Sequence, residues 1–288
     1  MIREKLIFKI FVEAPVETCP IEALDFISAH ETATGVSMDQ IQKDGICGFV
    51  DRLKGNGTTN GTDLWTIFTN ADAKIFPLAP SSDLVSSADA CRMELITQTQ
   101  RGTYINFVAG DFQPNGVTGG STKIFRCGNA PTDYPADDLG FGAYVVNRIN
   151  VSSVALCGVD AASGSNVQAI FDRTLLTESA ARVQDLDGTQ ITAARPTTGM
   201  YYVQRSGTTK EHYVDNTQLF SVTSSFTTVR TSVEMGFHAF NRANTTLIES
   251  LSTLGMYVYG APYLSSTEYA DFIESITWYQ QNIITGGR

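Results

Sequence analysis

The chain has 288 residues, of which 17% are charged, and a formal net charge of −10 with a pI near 4.7. That acidity disfavours sequence-independent attraction to nucleic-acid phosphates, and no stretch is apolar over the roughly 20 residues that a membrane-spanning helix needs. A chain this long can bury one large core or two modest ones, and its scarcity of charge amid Gly, Ser and Thr favours strands and turns.

Residues 1–12 alternate as a first strand, with Leu6, Phe8, Ile10 and Val12 against Lys5, Ile7, Lys9 and Phe11. Lys9 interrupts the apolar run and no small-residue cleavage site follows, so we expect a strand and not a signal peptide. Both of its faces carry apolar groups, which suits either a central strand or an arm that adds to a neighbouring protein. Without a leader, the sequons at Asn56, Asn60, Asn150 and Asn244 carry little meaning. A short helical stripe follows at 21–29, with Leu24, Phe26 and Ile27. A second helix is expected to start at Ser37 with Gln40 as capping partner and to bury Ile41, Ile46, Phe49, Val50 and Leu53, weakened by Gly45 and Gly48. Residues 55–61 read as loop, 63–70 as a short apolar element of open type, and KIFPLAP as extended chain.

From about residue 81 the texture becomes short β-rich runs separated by Gly, Pro, Asn, Asp and Ser, which indicates an antiparallel sandwich or barrel. Asp187-Gly188 and Ser206-Gly207 are expected hairpin turns. Alternation in GMYYVQRS predicts a core-facing row of Tyr201 and Val203 and a solvent-facing row of Tyr202 and Gln204. LGMYVYG then reads as a buried strand, and a helix over 266–283 opens on a capping box of Ser265 and Glu268. That helix would bury Tyr269, Phe272, Ile273, Ile276, Tyr279 and Ile283 against a sheet and stop at Gly286 and Gly287. The five cysteines (19, 47, 91, 127 and 157) are odd in number and widely spaced, and are expected to be buried thiols of a chain made in a reducing compartment.

DFQPNGVTGGSTKIFRCGNAPTDYP, GAYVVNRINV, GMYYVQRSGTTKEHYVDN, FHAFNRAN and the closing LGMYVYGAPYLSSTEYADFIESITWYQQNI occur in this order. Together they resemble a family of bacteriophage structural proteins that carry a concanavalin A-like (laminin-G-like) sandwich with a C-terminal helix. The resemblance runs over about 37–288 and departs at the insert PTDYPADDLG and over residues 1–20. It implies a mainly β fold: a concanavalin A-like jelly-roll sandwich over 81–288, preceded by a small mixed α/β segment over 1–80. It also implies a non-enzymatic virion component of a tailed phage, made in the host bacterial cytoplasm. Its partners would be other virion proteins, copies of itself and host-surface glycan.

The same fold class hosts lectins and glucanases, so the chemistry must come from side chains. A retaining glucanase needs two carboxylates about 5 Å apart, and neither E-x-D-x-E nor E-x-D-x-x-E occurs. Glu17 and Glu22 have the outer spacing, but Cys19 and Pro20 intervene; Glu234 reads as a strand-edge glutamate. His30-Glu31 opens an H-E-x-x-H motif that Thr34 breaks, and GVTGGSTK lacks the phosphate-loop spacing. A rim calcium site would draw on Asp133, Asp137 and Asp138, or on Asp185 and Asp187, although acidic turn residues also bond their own backbone. For sugar, Tyr134, Phe112 and Asn115 are the loop candidates, while Trp65 and Trp278 read as packing. The rival functions are a glycan-degrading enzyme of this fold and a bacterial surface carbohydrate-binding module.

Overall fold

The computed structural model describes residues 19–78, 90–147, 154–160, 168–173, 178–183, 191–194, 198–223, 231–243, 245–247 and 250–284. Three helices come first: α1 (Ile21–Thr34), α2 (Gln40–Leu53) and α3 (Leu64–Asn70). Short strands follow: β1 (Lys74–Pro77), β2 (Met93–Glu94), β3 (Thr99–Gln100), β4 (Thr103–Ile105), β5 (Phe112–Gln113), β6 (Gly116–Thr118) and β7 (Ile124–Arg126). Longer ones succeed them: β8 (Asp138–Asn147), β9 (Val154–Asp160), β10 (Gln168–Arg173), β11 (Glu178–Val183), β12 (Ile191–Ala194), β13 (Gly199–Ser206), β14 (Thr209–Val214) and β15 (Thr217–Thr223). The chain closes with β16 (Gly236–Phe237), β17 (Phe240–Arg242), β18 (Thr245–Leu247), β19 (Thr253–Ala261) and α4 (Ser266–Ile284). The expected strand over 1–12, the turn at Asp187 and the glycine stop after α4 lie outside the described residues.

The protein is mainly β, a sandwich of two sheets with a helix layer on one of them. The first sheet runs β15-β14-β13-β8-β19-β6-β5, with β1 also on β19. The second runs β12-β11-β10-β9-β16-β7-β4, and β17 joins it parallel to β9. The other described pairings are antiparallel, as the turn-rich text predicts. Between the sheets lies one core, with Tyr201, Val203, Tyr257 and Tyr259 from the first sheet and Leu156, Ile170 and Phe237 from the second.

The first sheet is buried on its other face too. Met200, Tyr202, Met256 and Val258 join a second core with Phe49, Phe68, Phe272, Ile276 and Ile283 of the helices. This corrects the expectation for β13: Tyr202 and Gln204 do not face solvent, because helices cover that side and leave both fully buried. Nor does α4 stand alone on the sheet, since α2 packs along it, with Phe49 and Tyr279 ring centroids 4.9 Å apart. The N-terminal segment and the sandwich therefore meet in one cluster, and β1 is itself a sheet strand paired with β19.

Local chemistry explains most element ends. Ser265 N donates to Glu268 Oε2 (2.6 Å) and Glu268 N to Ser265 Oγ (3.5 Å), the expected capping box. The six stripe residues of α4 are all buried. For α2 the cap is Asp39, accepting from Gln42 N at 2.9 Å, and not Ser37: an Asp side chain nearer the first turn takes the orphan donor. Ile41 lies outside the buried face of α2, and Leu24 lies outside that of α1. Residues 64–70 become a helix because Asp63 caps Thr66 N at 3.0 Å.

Gly45 and Gly48 do more than weaken α2. A Cβ at Gly45 would lie 2.5 Å from Ile283 Cγ1, and one at Gly48 would lie 2.0 Å from Trp278 Cη2. Bare backbone at both positions lets α4 approach this closely.

The cysteine expectation holds for three of five. Cys91, Cys127 and Cys157 are buried thiols, whereas Cys19 and Cys47 form a disulfide across 28 positions that ties the start of α1 to α2. Sequence spacing gave no hint of this pair, because folding α1 back on α2 is what brings the two together. Among the described residues no helix is long and apolar enough to cross a membrane.

Candidate functional site

The loop residues proposed for sugar do not make a sugar surface. Tyr134 is buried, its ring T-shaped on Tyr259 at 5.0 Å and its hydroxyl donating to Asp72 O at 3.3 Å. A Cβ at Gly260 would meet Tyr134 Cε1 at 2.1 Å, so the ring fills a place left by a glycine. Phe112 is buried between Tyr104 and Phe107, at 5.1 and 6.0 Å. Its strand pairs at once with β6, which turns the ring into the core. Asn115 is half-buried in the turn between β5 and β6. With both rings enclosed, the three offer no stacking face.

The acidic insert is likewise occupied locally. Asp133 Oδ2 accepts from Ala130 N (2.9 Å) and from Asn129 Nδ2 (3.2 Å), capping its own turn. Asp138 Oδ1 accepts from Tyr263 N at 2.5 Å, and Asp137 O accepts from Gly207 N at 2.7 Å. Among the described residues no three His, Cys, Asp or Glu side chains gather as a metal site, so Asp133, Asp137 and Asp138 do not form one together. Asp185 and Asp187 lie outside the described residues.

Other reactive groups are held as structure. Burial pushes all three free thiols up, Cys127 to about 12, so they remain protonated at neutral pH. Glu94 is sealed, accepting from Ile75 N, Ile96 N, Thr97 N and Thr97 Oγ1 at 2.6 to 3.1 Å. Glu234 sits half-buried just before β16, and its backbone carbonyl accepts from Asn241 Nδ2 at 2.7 Å. His212 and His238 are fully buried on the sandwich side, far from any ligand-like grouping.

The surface with recognition geometry lies on the helix layer, around Trp278. Its indole is half-buried and borders two open depressions. One, about 470 Å³, is lined by the Cys19–Cys47 disulfide with Asp44, Asp51 and Asn282 among its polar groups. The other, about 480 Å³, is lined by Arg52, Thr59, Asn60, Asn216, Glu274 and Gln281. Arg52 stacks over the indole, its Cζ 5.0 Å from the ring centroid, and its Nη1 donates to Gly57 O at 2.5 Å.

Hydrogen bonds to α4 fix the loop that supplies this rim. Asp271, fully buried, accepts from Asn60 N (3.0 Å), Asn60 Nδ2 (2.9 Å) and Thr62 N (2.9 Å). Burial pushes this carboxyl up, but the hydrogen bonds from Thr62 and Asn60 outweigh it and hold the group below its ordinary value. Glu274 Oε2 accepts from Thr59 N and Thr59 Oγ1, both at 3.0 Å. What reads in the sequence as a plain loop is thus pinned into a shaped edge. The packing expectation holds for Trp65 and in part for Trp278, whose ring edge lies over Gly48 against the helix core; its place off the apolar stripe of α4 was the signal for the face left open.

No known family profile and no curated protein matches the chain. Among solved structures it is similar to NanB sialidase from Streptococcus pneumoniae, at 16% identity over 48% of this chain and 24% of that one, with a TM-score of 0.40. A second is the Ruminococcus gnavus IT-sialidase CBM40 bound to α2,3-sialyllactose, at 11% identity over 54% of this chain and 93% of that one, TM-score 0.39. A third is Trypanosoma rangeli sialidase, at 10% identity over 71% and 32%, TM-score 0.48. The chain spans about a quarter to a third of the length of these two sialidases, and each likeness is a partial one in backbone course.

Proposed function

We propose that this protein is a non-catalytic glycan-binding β-sandwich that receives sugar against Trp278. The observation that carries the reading is the half-buried indole set between two open depressions, with the side chains of Arg52, Asn60, Asn216, Glu274, Gln281 and Asn282 around it. Sugar sites combine these ingredients: an apolar ring face for the C–H faces of a pyranose and planar amide or charged groups for its hydroxyls. Rim groups held by Asp271 and Glu274 lose less freedom on binding, which favours affinity. The sequence resemblance to phage structural proteins adds a setting to this reading, a virion in contact with host-surface glycan.

A glycan array with the whole chain tests the proposal. We expect binding to at least one glycan, a loss of about tenfold or more on Trp278→Ala, and no release of reducing sugar. Binding that survives Trp278→Ala at full strength, or turnover of the bound glycan, overturns the reading.

A further inference from the structure

We infer that the Trp278 site grips an internal stretch of an extended, uncharged polysaccharide, and not a terminal or acidic sugar. The inference rests on the glycan reading above and adds the class of ligand to it.

Continuity is the first argument. The two depressions, of about 470 and 480 Å³, share the indole as a common border, so a chain lying in one is not stopped at the ring but carried over it. Along α4 their linings extend from Ala270 to Asn282, twelve residue steps or about 18 Å of helix. That length accommodates several pyranose rings end to end. A site for one terminal residue would be a closed socket, and both depressions are open.

Charge is the second argument. The first depression presents Asp44 and Asp51, and among the described residues no lysine or arginine lines it. In the second, Arg52 faces Glu274, with Nη1 3.7 Å from Oε1, and the guanidinium is engaged by Gly57 O and the indole. A uronate or sialate arriving at this groove meets two carboxylates on one side and an already occupied cation on the other. The net charge of −10 adds repulsion from the chain as a whole. Neutral hydroxyls suffer neither effect. The exposed Ile41 and the half-buried Pro20, which line the first depression, add an apolar surface that suits a sugar face and not an anion.

The experiment is calorimetry on the full chain with linear neutral oligosaccharides of two to six residues (cello-, malto- and laminari-series) and with oligogalacturonates of the same lengths. In one neutral series the hexamer should bind about tenfold or more tighter than the dimer, because added rings reach the second depression. The oligogalacturonates should bind more weakly at every length. Asp44→Lys, at an exposed position where the carboxylate accepts from Gln40 Nε2, should narrow the gap between the two classes without disturbing the fold. If a Trp278-dependent ligand binds equally well as dimer and hexamer, or if the acidic series binds tighter, this inference falls while the glycan reading stands. If no oligosaccharide of either class binds while the array shows a Trp278-dependent glycan, this inference falls and the glycan reading stands; if the array is blank as well, both fall.

Discussion

The first sheet is buried on both faces, and the two faces are built differently. Toward the second sheet, aromatic rings stack: Phe237 and Tyr257 lie 4.4 Å apart at 17°, and Phe125 and Tyr257 5.2 Å apart at 25°. Continuous ladders frame them on both sides. Toward the helices, Met200, Tyr202, Met256 and Val258 meet side chains whose backbones form no ladder with the sheet. That layer is positioned instead by buried apolar contact, one disulfide and the hydrogen bonds of Asp271. The lesson concerns where recognition can reside. Ladders hold the sandwich regardless of its surface, whereas the helix layer keeps a half-open indole in place through side chains alone.

The comparison is broken most forcefully through the cores. Phe272 is fully buried against Phe68 (5.1 Å) and Tyr202 (5.8 Å), and Phe237 is its counterpart between the sheets. Truncating either to Ala should cost about 3–5 kcal/mol. The two should differ in hydrogen exchange. Phe272→Ala should raise exchange in α2 and α4 while the ladders of β8, β13 and β19 stay protected, whereas Phe237→Ala should loosen the strands. Uniform loss of protection in both variants would show that the layers form one cooperative unit.

Acid sharpens the contrast. Burial holds His212 and His238 at about 3, with Lys210 and Lys123 adding repulsion, and neither ring nitrogen of His212 has a partner among the described residues. Above about pH 6.5 both rings are neutral whether the chain is folded or not. Below it the unfolded chain binds protons that the folded chain refuses, so stability falls as pH falls toward 3. Each histidine should contribute about 1.4 kcal/mol per pH unit well inside that interval. For Asp271 the folded value is depressed, so its contribution is complete above the ordinary carboxyl value and is lost only as pH drops through the lower folded one. The sandwich should therefore weaken between pH 6.5 and 5, before the rim loop does. A flat denaturation midpoint over that range, or an unchanged slope in His212→Phe, counts against this account.

The sequence made the layers legible unevenly, for physical reasons. Strand alternation, turn residues and the stripe of α4 are local signals, and they located most strands, the Ser206-Gly207 hairpin and the closing helix. Which side of β13 faces water is not local; it depends on the closing segment returning over it, with Tyr269 and Phe272 of α4 on Tyr202 and the backbone of Leu264 paired with Gln204. The loop pinned by Asp271 depends on a long-range return too, and the disulfide on α1 folding back on α2. For the site, exposure was the missing quantity. Tyr134 and Phe112 sit in turn-rich text yet point inward, while Trp278 sits in a helix yet reaches the surface.

The smallest expected effect on stability discriminates best between packing and recognition, and it concerns the two glycines of α2. Replacing either by Ala gains roughly 1 kcal/mol of helix propensity, against an overpacking cost of about 1–3 kcal/mol. At Gly45 the new methyl meets Ile283, which is fully buried and has nowhere to retreat, so Gly45→Ala should destabilise on balance. At Gly48 the obstructing atoms are Cη2, Cζ3 and Cζ2, the far edge of a half-buried indole that can rotate outward. Gly48→Ala should then change stability by less than about 1 kcal/mol. It should still move Trp278 off the border between the depressions, red-shifting its fluorescence and weakening glycan binding. A packing role alone predicts the reverse pairing, with a clear loss of stability and no change in binding. Were Gly48→Ala to leave both emission and affinity untouched, the glycine would not be what seats the indole.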